Sequence, residues 1–301
     1  IIDIRLQFPS RISNNYHKGI VQANSYSLNF PYHNAGIDGT GQIVGLGDSG
    51  IDELSCFFRN SDGSKVARSS YSSPTFDLTK RKVIQYINYR DSVDTSQGHG
   101  THVAGTIAGN SVGFDTTYTA YSGHASGAKI AFFDMGTGTS SSISYPNPLG
   151  TNVFGPAYTA GARLHSNSWG NALNWYTSSE TSVDSFHNTH PDFLSIFAAS
   201  NDGEQGYYSV GAPAVSKNTL TVGASMSSAS ADIGKIAYFS SLGPTFDERI
   251  KPDIVAPGYS TTSASASSGS SQTCATVSMA GTSMATPVVR TYLLSFQSFP
   301  L

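Results

Sequence analysis

At 301 residues the chain is long enough for one large domain, which buries roughly 75% of its unfolded surface without disulfide staples. A net charge of −3 with no run of Lys or Arg excludes nucleic acid and anionic membrane surfaces as electrostatic partners, and no apolar stretch approaches the roughly 20 residues that span a bilayer. Charged residues make up 12% of the chain, about half the usual share of roughly 25%, and Gly, Ser, Thr and Tyr take their place, as in extracellular proteins.

The opening "IIDIRLQFPSRI" lacks an initiator Met and any basic–apolar–small leader, so it reads as a processed end or a cut from a longer precursor. Apolar runs of strand length then alternate with stretches of helical length. "QIVGLGD" is followed by the helical "GTHVAGTIAG", with "KVIQYINY" between them. "KIAFFDM" precedes "NVFGPAYTAGA", and "RLHSNSW" precedes "TSVDSFHNTH". "FLSIFAAS", "NTLTVGAS" and "DIVAPG" complete the set. Continuous apolar strands separated by helices predict an α/β fold, a mostly parallel central sheet covered by helices on both faces. The Ser-rich "GYSTTSASASSGSSQTC" (258–274) reads as a solvated loop. No internal repeat and no second domain is visible.

Three runs end in a polar residue and a glycine: Asp48-Ser49-Gly50, Ser168-Trp169-Gly170 and Asn201-Asp202-Gly203. Function in open α/β sheets collects outside the carboxyl ends of strands, so these ends are the candidate site. Ser283 lies at a Gly-Thr-Ser turn entering a helix, where the helix N-terminus favours an alkoxide. It needs a base, and the base needs an orienting acid. Of the eight histidines, His99 stands where a glycine loop enters a helix of small residues; His102, one turn on, points into packing. Asp48 ends a buried strand and is placed to fix the His99 tautomer. The Asn201 amide is a candidate oxyanion donor beside the Ser283 N–H. Each has a plainer reading, as a turn residue or a packed histidine. The order Asp48…His99…Ser283 is neither that of α/β-hydrolases nor that of chymotrypsin-like enzymes. The two cysteines, Cys56 and Cys274, are on this count alone either two buried thiols or one disulfide.

The blocks around Asp48-Ser49-Gly50, "GHGTHVAG", "SNSWG", "AASNDG", "FSSLGPT", "KPDIVAPG" and "GTSMATP" resemble those of the subtilisin-like serine peptidases over roughly residues 38 to 288. With "NNYHKGIVQA" and "AGARLHSNSWG", the pattern is similar to the large alkaline subtilases with a C-terminal β-sandwich and to protist multidomain subtilases. The resemblance implies a serine endopeptidase with Asp48, His99 and Ser283 as triad and Asn201 as oxyanion donor. It implies that Ser168, Trp169 and Gly170 pair with substrate backbone, that Met135 and Gly136 flank its other side, and that Ala198, Ala199 and Ser200 line the pocket for the residue before the scissile bond. Relatives often carry Gly at the Ser200 position, so the floor is expected to be narrower. With no acidic cluster at the pocket, an apolar or aromatic preference is expected. It also brings the Cys56 and Cys274 loops together, as a disulfide.

The resemblance implies no cofactor for the chemistry and admits structural calcium, while the lack of any HExxH or paired CxxC speaks against zinc. Expected partners are a peptide or protein substrate and the chain's own prodomain, with a secreted or lumenal monomer as the mature form. Residues 1–13 resemble the tail of that prodomain and 14–301 the catalytic domain, truncated after about 289, where "RTYLLSFQSFPL" departs from the family and Arg290 stands in place of a small residue. An impaired fragment or peptide-binding module is the alternative.

Overall fold

The computed structural model describes residues 14–23, 30–94, 98–137, 142–227, 234–266 and 274–297, with side chains of 14–16 and 290–297 outside that description. The expected prodomain tail at 1–13 and the Arg290 side chain therefore lie outside the described residues.

Eight strands form one sheet in the order β2-β3-β4-β1-β5-β6-β7-β8. They are β1 (Ile43–Asp48), β2 (Arg68–Ser69), β3 (Val83–Asn88), β4 (Lys129–Asp134), β5 (Leu164–Asn167), β6 (Leu194–Ala198), β7 (Leu220–Ser225) and β8 (Ile254–Pro257). All seven neighbouring pairs are parallel. Parallel strands must be covered on both faces, and β1 and β4 are accordingly buried at five of six positions each. Alternation along β1 assigns its two faces. Val44 and Leu46 join a core with Val103 and Ile107 of α3 (His99–Ala108) and Met284 of α6 (Thr282–Gln297). On the opposite face, a Cβ added at Gly45 would meet Ala157 of α4 (Gly155–Thr159) at 2.8 Å. Phe154, Val183, Phe186, Phe193 and Phe197 pack around α5 (Ser178–Thr189). A Thr177–Glu180 capping box starts that helix. Two further helices, α1 (Asn14–Ala23) and α2 (Pro31–Asn34), precede β1.

The three-layer expectation is met, and the sheet's topology positions the site. β1 is flanked by β4 on one side and β5 on the other, so the chain winds outward in both directions from it. The crevice outside the carboxyl end of β1 is the topological switch point, and Asp48 stands there.

One expectation needs correction. The Ser-rich segment is not loop throughout: Thr261–Ala264 (β9) pairs antiparallel with Thr276–Met279 (β10), and all four β9 residues are buried. Thr262 Oγ1 pairs with Ser278 Oγ at 2.8 Å, and β9 lies against α3 at Gly105, where any Cβ would stand 2.5 Å from the Ser263 hydroxyl. The helix that begins beside Ser283, α6, runs through Gln297. Cys56 and Cys274 form a disulfide with a Cα separation of 5.1 Å, linking the loop after β1 to the segment entering β10.

Candidate active site

Asp48 is buried at the end of β1. Its Oδ1 accepts from His99 Nδ1 at 2.7 Å and from the Ser49 N–H at 2.8 Å. The bond to Nδ1 leaves the His99 Nε2 edge for the cleft, where a base must act. Burial alone would push the His99 pKa down. The Asp48 charge and hydrogen bond, with the Asp94 charge behind them, outweigh it, and the pKa rises above its ordinary value.

His99 is the first residue of α3, and its N-cap, Gly98, sits at φ +67° and offers no side chain. The orphan N–H groups of the first turn are met from elsewhere in the fold. Gly100 N–H donates to Ser49 Oγ at 3.0 Å and Thr101 N–H to Asp94 Oδ2 at 2.8 Å. Ser49 Oγ in turn donates to Asp94 Oδ1 at 2.8 Å. The helix that carries the base is thus tied to the strand that carries the acid. The contact is tight: a Cβ at Gly100 would lie 2.1 Å from the Gly50 carbonyl.

Asp134, in register with Asp48 on β4, is a second buried acid at this edge. Burial raises its pKa to about 8, so at neutral pH it adds little negative charge beside Asp48. It accepts from Tyr86 Oη at 2.6 Å and the Gly136 N–H at 3.1 Å.

Ser283 is the second residue of α6, so its N–H lacks an intrahelical acceptor. Its hydroxyl donates to the Ser168 carbonyl at 2.8 Å, and Ser168 Oγ donates back to the Ser283 carbonyl at 2.9 Å. That carbonyl is free to accept because the residue four positions on is Pro287, which has no N–H. The Ser283 hydroxyl therefore rests on Ser168; hydrogen bonds between nucleophile and base often form or tighten only with substrate. Asn201 Oδ1 accepts from the Thr282 N–H (2.8 Å) and hydroxyl (3.0 Å), which fixes the amide and leaves its Nδ2 as donor.

One cleft of about 570 Å³ gathers Asp48, His99, Ser283, Asn201, Ser168, Trp169, Gly170, Ala198 and Ser200. Gly170 is exposed, and its backbone N–H and C=O have no partner among the described residues, as an edge awaiting another strand requires. Trp169 is held by Nε1 donation to the Gly47 carbonyl at 3.0 Å. Three expected lining residues are not there. Met135 and Gly136 are buried. The Met135 carbonyl accepts from Ser144 N–H at 3.0 Å and the Gly136 N–H is taken by Asp134, so Ser142 and Ile143 line the cleft instead. Ala199 alternates away from it, fully buried. Asp94 escaped the sequence reading because nothing in "SVDTSQGHG" distinguishes its carboxyl from a loop aspartate. Among the described residues, no group of three or more His, Cys, Asp or Glu is arranged to hold a metal ion.

A parallel doubly wound sheet with Asp48, His99 and Ser283 lining one cleft at its switch point is the arrangement of the subtilisin fold. The sequence matches the subtilase family over residues 39–294, and the chain belongs to that family. It is 31% identical over 337 aligned positions to the serine protease/ABC transporter B family protein tagD of Dictyostelium discoideum, covering 83% of this chain and 18% of that protein. It is 34% identical over 199 positions to alkaline protease 1 of Aspergillus clavatus, covering 66% of this chain and 42% of the other. The Clostridium perfringens CspB protease superposes with a TM-score of 0.66 at 16% identity, over 88% of this chain and 85% of that one. The chain spans about a fifth of the length of the Dictyostelium relatives.

Proposed function

We propose that the chain is the catalytic domain of a serine endopeptidase that works through an acyl-enzyme. The observation that carries this reading is the Asp48–His99 hydrogen bond of 2.7 Å opening onto the same cleft as Ser283 and Asn201. Ser283 Oγ attacks the scissile carbonyl carbon and its proton passes to His99 Nε2. The carbonyl oxygen takes the negative charge between Asn201 Nδ2 and the Ser283 N–H. Collapse breaks the C–N bond, and His99 gives the proton to the departing amine. Water, deprotonated by His99, then hydrolyses the ester and regenerates Ser283.

The substrate lies extended along Ser168–Gly170, with an uncharged side chain entering the recess beside Ala198 and Ser200. Supporting a secreted or lumenal site of action is the buried disulfide, which persists in oxidising compartments. The mature form is a monomer released from its own prodomain, and calcium, where bound, is structural and takes no part in the chemistry.

A groove that binds peptide without cleaving it draws on the resting Ser283–Ser168 bond. Incubating an unfolded protein with the chain and with Ser283→Ala separates the two. The proposal expects cleavage that the substitution abolishes; peptide binding without cleavage in either form overturns it.

A further inference from the structure

Ser200 follows β6 and precedes Asn201, and its φ is +87°. That region is costly for any residue with a Cβ, yet a side chain is carried there. Its hydroxyl faces the space that two glycines leave open. A Cβ on Gly211 would stand 2.4 Å from Ser200 Oγ, and one on Gly170 would stand 3.6 Å from it. The walls of that space are tied together: Asn171 N–H donates to the Ala212 carbonyl at 2.9 Å, and Gly211 N–H to the Ala199 carbonyl at 3.2 Å. Ser200 lines the cleft, whereas Gly211 and Ala212 behind it do not.

We infer that Ser200 closes the floor of the pocket for the side chain preceding the scissile bond and restricts that side chain to small, uncharged ones. The inference rests on the acyl-enzyme reading. With the reacting carbon at Ser283 Oγ and its oxygen toward Asn201, the acyl-side chain enters between Ser168–Ala172 and Ala198–Ser200. Ser200 Oγ leaves no room toward Gly211, whose added Cβ would stand 2.4 Å from it, so a side chain entering here stops in front of the hydroxyl. An aromatic ring needs the volume between that hydroxyl and Gly211, and walls joined by backbone hydrogen bonds do not part to supply it. This narrows the apolar and aromatic preference expected from the sequence to its small end.

Ser200→Gly is a clean test, because glycine accepts a φ of +87° without strain and the fold is not put at risk. The experiment measures kcat/KM on peptides with one leaving group, differing only in Ala or Phe before the scissile bond. Wild type, Ser200→Ala and Ser200→Gly are compared. Pocket contacts of this size are worth about 10–200-fold. Wild type is expected to favour Ala by about tenfold or more. Ser200→Gly should raise the Phe:Ala ratio of kcat/KM by about 10–100-fold, with Ser200→Ala between. A wild type that prefers Phe, or an Ala:Phe ratio unmoved by Ser200→Gly, overturns this inference and leaves the acyl-enzyme reading standing. Failure of all three forms to cleave either peptide, with Ser283 inert to a fluorophosphonate, overturns both.

Discussion

Removing the Cys56–Cys274 bridge tests the packing between the two halves of the site. The two cysteines are 218 residues apart and both are buried. The chain-entropy relation for a loop of that length gives about 5 kcal/mol at 25 °C, while bridges typically deliver about 2–4 kcal/mol. The Cys56→Ala/Cys274→Ala variant avoids burying new hydroxyls. Made in a Ser283→Ala background, so that autolysis plays no part, it should lose about 2–5 kcal/mol in urea unfolding, with a larger m-value because the unfolded chain, released from its cross-link, exposes more surface. At roughly 2 °C per kcal/mol for a domain of this size, Tm falls by roughly 4–10 °C. A loss below about 1 kcal/mol would refute the reasoning, because the bridge would then not be constraining the unfolded chain.

The pH–rate profile of kcat/KM should show an acid limb above the ordinary histidine value, since His99 is active only when neutral and its pKa is raised. Asp94→Asn, which removes one of the raising charges, should move that limb to lower pH; an unmoved limb would contradict the assignment. Acid lability should come from elsewhere. His17 and His102 are fully buried, and burial lowers their pKa values to about 3 and about 4. The unfolded chain binds more protons below pH 6.5, so stability is complete above that pH and falls as pH drops toward 4. His17→Phe should flatten that slope of Tm against pH. Gly100→Ala should lower both stability and activity, because its Cβ meets the Gly50 carbonyl at 2.1 Å; wild-type stability in that variant would refute the tight contact between α3 and the loop after β1. Asn201→Ala should reduce kcat by about 10²–10³-fold, a magnitude taken over from subtilisin, the template for this contact; an unchanged kcat would remove Asn201 from the oxyanion site.

The sheet was legible because its central strands are unbroken apolar runs, a pattern that parallel strands covered on both faces require. The hairpin of β9 and β10 was not, because "TTSA" buries hydroxyls against a glycine of α3, and composition alone reads such residues as solvent-facing. Asp48, His99, Ser283 and Asn201 were legible as residues at strand and helix ends, in an order that selects one scaffold. Asp94 was not, since its link to His99 runs through the Ser49 hydroxyl and two helix N–H groups. The flank of the cleft was misassigned to Met135 and Gly136 for the same kind of reason. Buried Asp134 claims the Gly136 N–H, and only the folded chain shows that Ser142 and Ile143 reach the opening.

The central claim is that Ser283 is an activated nucleophile, and fluorophosphonate labelling with the adduct located by mass spectrometry tests it most directly. The account predicts one adduct, on Ser283, lost in His99→Ala and weakened in Asp48→Asn. An adduct on another residue, or labelling of Ser283 that does not depend on His99, would contradict it.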